Sequence, residues 1–231
     1  MKIFFKFIII ILLLFFSAIC FFYYANNETL PKGKLGIEAD TLATKMLEAL
    51  NYDAYENLEI LEWSFRKKHF YKWNKKEHIV AVSWDNNKVI LHTKEIEKSE
   101  VFINDQKIEN KEILFQARDF FNNDSFWLVA PYKIFDLGTE RRIVNYENKD
   151  ALLITYRSGG STPGDSYLWI LDKKYVPVSY KMWTSIIPIG GVSATWSDWK
   201  NTEAGIKLPT QHKLSLFGMK ISMGEVKGYN L

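Results

Sequence analysis

The stretch Asp165–Trp183, DSYLWILDKKYVPVSYKMW, decides the fold class, because two apolar and aromatic runs flank a polar turn. Candidate strands cover Asp165–Asp172 and Val176–Trp183, and Lys173-Lys174 connects them. Short runs rich in aromatic and β-branched residues between turn signals are typical of strands. This part of the chain is therefore predicted to be a sheet.

The same pattern continues on both sides of this stretch, from Glu140 to the end of the chain. Turn residues such as Ser158-Gly159-Gly160, Gly190-Gly191 and Gly205 separate the candidate strands. A spacing of about 10–14 residues with turn signals predicts an antiparallel sheet or barrel. The other candidate strands are Arg141–Tyr146, Ala151–Arg157, Val192–Trp199, Ile206–Leu216 and Lys220–Lys227.

A helix and further strands are predicted before residue 110. Apolar residues recur at helical spacing within Ile37–Leu50, and Asp85-Asn86-Asn87 is typical of a hairpin turn. One short helix is marginally stable alone, so its apolar stripe is expected to dock on the sheet. The candidate strands of this region are Glu59–Tyr71, His78–Trp84, Lys88–Thr93, Glu100–Ile103 and Lys107-Ile108.

Two helices are predicted in the middle of the chain. Glu109–Asn123 carries apolar residues at helical spacing. A second, short helix over Phe126–Ala130 begins after Asp124 or Ser125, which are capping residues, and ends at a proline. The order of elements predicts an α+β fold that is mainly antiparallel β, a strongly curved sheet or incomplete β-barrel with a helical lid or plug. Such a fold can enclose an apolar space.

The segment Phe7–Tyr24 contains eighteen residues without a charge. An apolar run of about 18 residues is long enough to cross a bilayer core roughly 30 Å thick. The alternative, a cleavable signal peptide, has a shorter apolar region and a small residue where this chain has Tyr23. A third alternative is a lipoprotein modified at Cys20, although Ile19 stands where that processing prefers a small residue.

Lys2 and Lys6 precede this segment and are expected to stay in the cytoplasm. The rest of the chain is then predicted to lie outside the cytoplasm in a bacterial cell envelope. It is anchored in the inner membrane and periplasmic, or secreted if residues 1–25 are cleaved. Residues 26–36, with proline, glycines and polar neighbours, are predicted to be a linker. Residues 37–231 are predicted to form a single domain.

The charge balance argues against nucleic acid as a partner. The chain has 30 basic and 27 acidic residues, and without the two leading lysines 28 basic residues face 27 acidic ones. Nucleic-acid binding requires a concentrated basic surface. The one cysteine lies in the apolar segment, so neither a disulfide nor a cysteine-ligated metal is expected in the exported domain.

Residues with catalytic potential form no recognisable motif. The four histidines lack the i, i+4 spacing of a helical zinc site. Ser158–Asp165 lacks the lysine of a phosphate-binding loop and is predicted to be a flexible rim loop that could gate a mouth. A hydrolase of envelope polymers is an alternative if two of the scattered aspartates face one cleft. No metal, no cofactor and no enzymatic activity are predicted.

Two motifs in the second half carry a family resemblance. Within Asp165–Tyr180, a strand that ends in Asp leads through a basic turn to a strand with proline, and Gly205, Ile206 and Pro209 form a later Gly-hydrophobic-x-x-Pro step. Both motifs, and the order of helices and strands over residues 38–227, resemble bacterial envelope proteins similar to the lipoprotein carrier LolA. The resemblance implies a half-barrel whose helical lid covers an apolar cavity for acyl chains, in a carrier or sensor and not an enzyme.

We therefore expect an exported, membrane-tethered domain that binds an acyl chain or another apolar ligand between sheet and lid. Its expected partners are membrane lipid and, as a further option, a lipoprotein or another envelope protein. The alternative is an envelope protein-interaction or structural domain whose aromatic residues only fill the core. The candidate lining residues are Phe120, Phe121 and Trp127 from the lid and Trp169, Met182 and Trp183 from the sheet.

Overall fold

The computed structural model describes residues 2–159 and 162–231. Gly160 and Ser161, which belong to the predicted rim loop, lie outside the described residues. The α-helices are α1 Lys2–Asn26, α2 Ile37–Leu50, α3 Tyr52–Glu56 and α4 Lys111–Val129. Short 3-10 turns cover Ile96–Lys98, Ala130–Tyr132 and Leu216–Gly218.

The strands form antiparallel pairs in two large sheets and two small ones. A seven-stranded sheet has the order β16-β1-β2-β3-β4-β5-β6, and a five-stranded sheet has the order β11-β10-β9-β8-β7. In chain order the strands are β1 Ile60–Phe65, β2 His69–Asn74, β3 Ile79–Trp84, β4 Asn87–His92, β5 Glu100–Ile103, β6 Gln106–Ile108, β7 Thr139–Tyr146, β8 Lys149–Tyr156, β9 Ser166–Leu171, β10 Pro177–Trp183, β11 Val192–Thr195, β12 Lys200–Asn201, β13 Lys207–Leu208, β14 Gln211–Lys213, β15 Lys220–Ser222 and β16 Lys227–Tyr229.

The small pair β14–β15 lies between the two large sheets. On one side, Leu214, directly after β14, forms an isolated antiparallel bridge with Ala194 of β11. On the other side, Ser64 of β1 donates its backbone N–H to the Met223 carbonyl at 3.0 Å. These bonds join the end of one sheet to the start of the other, but the large sheets do not close on each other. The predicted α+β, mainly antiparallel fold is confirmed, and the incomplete barrel stays a prediction.

The middle of the chain is one long helix, α4, so the prediction of two helices broken at Asp124 is wrong. Asp124 is buried inside α4. Its carboxylate bonds to side chains of β2 and does not cap a helix. The helix begins instead at Asn110, whose side-chain oxygen accepts the Ile113 N–H at 3.1 Å. This is the usual role of asparagine at an N-cap.

One hydrophobic core joins the inner faces of both large sheets with α2 and α4. Strand alternation divides β8: Leu152 and Ile154 enter this core, whereas Ala151 and Leu153 belong to a second, small cluster on the other face of the sheet. The period of two in strand side chains explains why neighbouring residues serve different faces. A sheet buried on both faces explains the nearly continuous apolar run in β8.

Residues 27–36, which we call the strap, cross from β10 to the edge strand β7. At one end, Glu28 donates its backbone N–H to the Gly190 carbonyl at 2.9 Å and pairs with Lys181 at 2.7 Å. At the other end, Lys34 and Ile143 exchange two backbone hydrogen bonds of 2.9 and 2.8 Å. The predicted linker is thus held on the sheet, and it connects directly to α1, whose segment Phe4–Asn26 is long and apolar enough to cross a membrane.

Candidate functional site

The first half of α4 packs on the seven-stranded sheet through aromatic rings. Phe120 meets Trp84 edge-on with ring centroids 5.4 Å apart, and Phe121 meets Trp73 in the same manner at 5.1 Å. Phe120 also stacks on the His69 ring at 3.9 Å. The α4 backbone lies close to β4 and β5 on this side. Here the helix and the sheet form a tightly packed interface.

A buried hydrogen-bond group fixes α4 to the same sheet. One carboxylate oxygen of Asp124 accepts the Tyr71 hydroxyl at 2.5 Å and lies 2.7 Å from His69 Nδ1. The other oxygen accepts the Asn123 side-chain N–H at 2.8 Å. Burial and the neighbouring Asp124 carboxylate raise the pKa of Tyr71 well above its ordinary value, so this phenol remains a donor. We call Asp124, His69 and Tyr71 the α4 latch.

The second half of α4 faces the five-stranded sheet across a layer of rings. Phe126 lies 4.7 Å from Tyr167 and 5.5 Å from Tyr156, and Trp127 lies 5.8 Å from Tyr180, all as ring centroids. In contrast to its close approach to β4 and β5, α4 meets this sheet mainly through side chains. We call the rings between them the aromatic layer; its members are Phe126, Trp127, Tyr156, Tyr167, Trp169, Tyr180 and Trp196.

The aromatic layer is neutral although it contains three phenols. Burial is the main cause that raises the pKa of Tyr156, Tyr167 and Tyr180 above the ordinary value of a tyrosine. The Trp169 indole N–H is buried and has no hydrogen-bond partner among the residues that the structure describes, as is also true of Trp63 and Trp73 on the side of the seven-stranded sheet. Buried polar atoms of this kind are rare in proteins unless water or a ligand satisfies them.

His212 of β14 closes one side of the aromatic layer. Its ring lies 4.6 Å from Trp196 and 5.3 Å from Trp127 by centroids. Burial lowers the pKa of His212 to about 4, and nearby backbone at Thr195 and Trp127 opposes the shift more weakly. The ring is therefore neutral near pH 7. Since Nδ1 lies 2.9 Å from the Thr195 carbonyl, Nδ1 carries the proton and Nε2 keeps a lone pair inside the layer.

The structure separates the six sequence-predicted lining residues into three places. Phe120 and Phe121 face the seven-stranded sheet. Trp127, Trp169 and Met182 share the core of the five-stranded side, where Trp169 and Met182 are buried. Trp183 lies on the opposite face of that sheet, and its indole N–H donates to the Glu28 carbonyl of the strap at 2.8 Å. Of these six residues, Trp127, Trp169 and Met182 lie together at the aromatic layer.

Sequence reasoning missed several members of this layer. Tyr167 and Trp169 share one face of β9, and Tyr180 lies opposite Trp169 in the next strand. The same alternation places Tyr156 beside Ile154 in β8. Period-two spacing in the sequence could have selected these residues. The missed residues are Phe126, Tyr156, Tyr167, Tyr180, Trp196 and His212.

Two open pockets lie away from the aromatic layer. A groove of about 1170 Å³ runs between the strap, α2 and the edge of the five-stranded sheet, with Lys32, Lys45 and Glu38 among its residues. A smaller pocket of about 470 Å³ lies beside the strap at Asn27 and Trp183. No group of three His, Cys, Asp or Glu residues within 2–159 and 162–231 is placed to hold a metal ion.

Comparison with known proteins gives matches in structure alone. No protein-family model and no curated protein sequence matches the chain. The fold is similar to a DUF1329 family protein from Desulfovibrio piger, with a TM-score of 0.40, 11% identity, and coverage of 83% of this chain and 91% of that one. It is also similar to a domain assigned to outer membrane lipoprotein sorting from Vibrio parahaemolyticus, with a TM-score of 0.38, 9% identity, and coverage of 81% and 94%.

The second of these structures is described by the same function, lipoprotein sorting, as the proteins to which the sequence was likened. Similarity at these TM-scores and identities carries no conclusion about activity, ligand or partner. The function of this chain has to be argued from its own residues.

Proposed function

We propose that this chain is a membrane-anchored domain of a bacterial cell envelope that binds an acyl chain or another apolar ligand between α4 and the five-stranded sheet. The observation that carries the proposal is the aromatic layer. On this side of α4, aromatic side chains fill the gap between the helix backbone and the five-stranded sheet. The other half of the same helix brings its backbone close to the seven-stranded sheet. Side chains can rotate out of such a gap without breaking a backbone hydrogen bond.

The energies favour exchange of rings for a ligand. Phe126 and Trp127 together make four ring contacts with Tyr156, Tyr167, Tyr180 and His212. Such contacts are worth about 0.5–1.5 kcal/mol each beyond the burial of the rings, so losing all four costs roughly 2–6 kcal/mol when the ligand keeps the displaced rings covered. Burying a methylene contributes about 0.8 kcal/mol, so ten methylenes contribute roughly 8 kcal/mol before the costs of association. An acyl chain of ordinary length therefore offsets the loss of these contacts.

Polar atoms within the layer give the ligand a preferred end. The lone pair of His212 Nε2 accepts a hydrogen bond, and the Trp169 indole donates one. Both lie in an otherwise apolar and neutral surrounding, which disfavours a charged group. A ligand with a neutral polar head, such as a hydroxyl, amide or ester, matches these atoms better than a free carboxylate.

The apolar helix α1 supports a position of this domain outside the cytoplasm. The α1 segment Phe4–Asn26 has the length and hydropathy of a membrane span and is unburied by the rest of the chain. Lys2 and Lys6 on the cytoplasmic side orient it. The domain is then periplasmic and tethered to the inner membrane, and it is released if residues 1–25 are cleaved. In this arrangement β14–β15 continues the two large sheets into a curved half-barrel with α4 as its lid.

A photoreactive fatty acyl ester tests the proposal on the full chain in lipid vesicles. After irradiation, peptide mapping by mass spectrometry should find adducts on Phe126–Val129 and on β9 and β10, besides those on the anchor. Phe115 on the exposed face of α4 is an internal reference, because it should carry no adduct. Adducts confined to α1 would contradict the proposal and favour the alternative, an envelope protein-interaction or structural domain with a permanently packed core.

A further inference from the structure

Exposed apolar side chains gather at one end of the five-stranded sheet. Leu137, Ile186 and Phe217 are 98%, 69% and 87% exposed. Leu137 precedes the start of β7, and Ile186 follows the end of β10. Both positions lie at the same end of the sheet, because Thr139 of β7 pairs with Tyr156 of β8, and Trp183 of β10 pairs with Ser166 of the neighbouring strand β9. Phe217 lies in the loop after β14, and Ser215 in the same loop donates its backbone N–H to the Ser193 carbonyl near the start of β11 at 2.8 Å.

The anchor helix leaves the domain at this same end. Asn27 and Glu28, directly after α1, bond to the backbone of Gly190 in the loop between β10 and β11. Within α1, the Phe22 ring stacks on the Phe217 ring with centroids 6.1 Å apart and planes 13° from parallel. The exposed end of the sheet is therefore continuous with the outer end of the membrane span.

The stack with Phe22 sets the depth of Phe217. At 1.5 Å per residue, an apolar run of about 18 residues spans roughly 27 Å, close to the thickness of the hydrocarbon core. Phe22 belongs to the last turn of that run, and Tyr23 and Tyr24 after it suit the headgroup level. A ring that stacks on Phe22 lies at the same level. Phe217 thus reaches the boundary between acyl chains and headgroups.

Two lysines beside Phe217 match an anionic surface. Lys213 and Lys220 lie directly opposite each other on β14 and β15. Like charges opposite each other on neighbouring strands are unfavourable. Among the described residues neither lysine has an ion-pair partner within 4.0 Å. Anionic headgroups would relieve their repulsion, at about 1 kcal/mol for each lysine near such a surface.

The backbone at Phe217 supports the same assignment. Its φ of 57° lies in the left-handed region, which costs a bulky residue of order 1 kcal/mol. Among the described residues, the Phe217 ring stacks on Phe22 of the anchor alone, and it is 87% exposed, so packing within the domain does not offset this cost. The strained backbone thus directs an aromatic ring outward beside a membrane span. This position favours contact of the Phe217 ring with the lipid.

We propose that Leu137, Ile186, Phe217, Lys213 and Lys220, together the membrane face, rest in the headgroup layer of an anionic bilayer beside the anchor. The inference depends on the membrane tethering in the proposed function and extends it. The membrane face fixes the domain in one orientation. Tyr156 and Tyr167 of the aromatic layer lie at this end of β8 and β9, so the proposed ligand site opens toward the bilayer.

Site-directed labels on the full chain test the membrane face. In a Cys20→Ser background, Phe217→Cys or Ile186→Cys is labelled with an environment-sensitive NBD dye in vesicles of phosphatidylcholine with phosphatidylglycerol. Lys174→Cys is the control, because it lies in the turn at the opposite end of the sheet. We expect blue-shifted emission, quenching by doxyl lipids and protection from iodide at positions 217 and 186, and the reverse at 174.

The outcomes separate the two proposals. If the chain stays with the vesicles while iodide quenches the labels at 217 and 186 as it does at 174, the membrane face is wrong and the tether stands. If alkaline carbonate releases the chain from the vesicles, the tether fails and the membrane face fails with it. The double variant Lys213→Glu, Lys220→Glu, made in the labelled chain, should weaken quenching by doxyl lipids in anionic vesicles only. An equal effect in vesicles of pure phosphatidylcholine would show that the two lysines do not bind anionic headgroups.

Discussion

The two halves of α4 meet their sheets in different ways. Toward the seven-stranded sheet, a buried carboxylate with two side-chain partners fixes the helix, and its backbone lies close to β4 and β5. Toward the five-stranded sheet, ring contacts such as Phe126 on Tyr167 connect the two elements. Hydrogen bonds to a charged group are directional and costly to break, whereas ring contacts rearrange more easily. In the proposed function, the latch half is the fixed side of the lid and the ring half is the side that opens.

Removal of the latch should have the largest effect. Asp124→Ala leaves Tyr71 and His69 without their buried acceptor, which we expect to cost about 4 kcal/mol of unfolding free energy. Chemical unfolding of the solubilised full chain, followed by tryptophan fluorescence, measures the loss. Asp119→Ala on the exposed face of the same helix is the matched control and should change stability by about 0.5 kcal/mol or less. Equal losses from both variants would remove the latch from the account.

The five-stranded side should instead weaken in acid. Between pH about 4 and 6.5 the folded chain binds fewer protons at His212 than the unfolded chain, because burial lowers the pKa of this residue to about 4. The stability that this group contributes is therefore complete above pH 6.5 and is lost as the pH falls toward 4, by about 3 kcal/mol.

Unfolding curves at several pH values test this dependence. His212→Gln should flatten the slope between pH 7 and 4, and His92→Gln, a half-buried histidine of β4, is the control that should retain it. A slope unchanged in His212→Gln would show that another group carries the acid sensitivity.

Truncation of one ring on each side should separate stability from binding. Trp127→Ala and Trp73→Ala each remove a half-buried indole that packs on the core, so we expect similar losses of about 2 kcal/mol. Acyl photolabelling of β9 and β10 should rise in Trp127→Ala, because two of the ring contacts that the ligand has to displace are already absent, and should stay unchanged in Trp73→Ala. A parallel fall in both variants would mean that labelling reports the stability of the domain and not its ligand site.

Local patterns allowed prediction of much of the fold. The bounds of α2 agree with the predicted Ile37–Leu50, and the hairpin over β3 and β4 lies where alternation and the Asp85-Asn86 turn placed it. These elements depend on side chains close in sequence. By contrast, Asp124 resembles a helix cap in sequence because its partners, His69 and Tyr71, lie more than 50 residues away.

The candidate site was harder to predict because it depends on which face each strand presents. Met182 and Trp183 are neighbours, so they necessarily lie on opposite faces of β10, and the period of two could have separated them. The contribution of His212 could not be read from sequence. The predicted strand Ile206–Leu216 divides near Pro209 into β13 and β14, and bridges to Ala194 and Ser197, more than ten residues earlier in the chain, bring β14 to the aromatic layer.

The central claim is that a ligand enters between α4 and the five-stranded sheet. Hydrogen exchange of the full chain in nanodiscs, with and without a neutral acyl ester, tests it most directly. We expect the ester to change amide protection in the last turn of α4, from Phe126 to Val129, and in β8–β10, while β2–β4 and the latch residues keep theirs. Protection that changes equally in both sheets, or nowhere outside α1, would contradict the account.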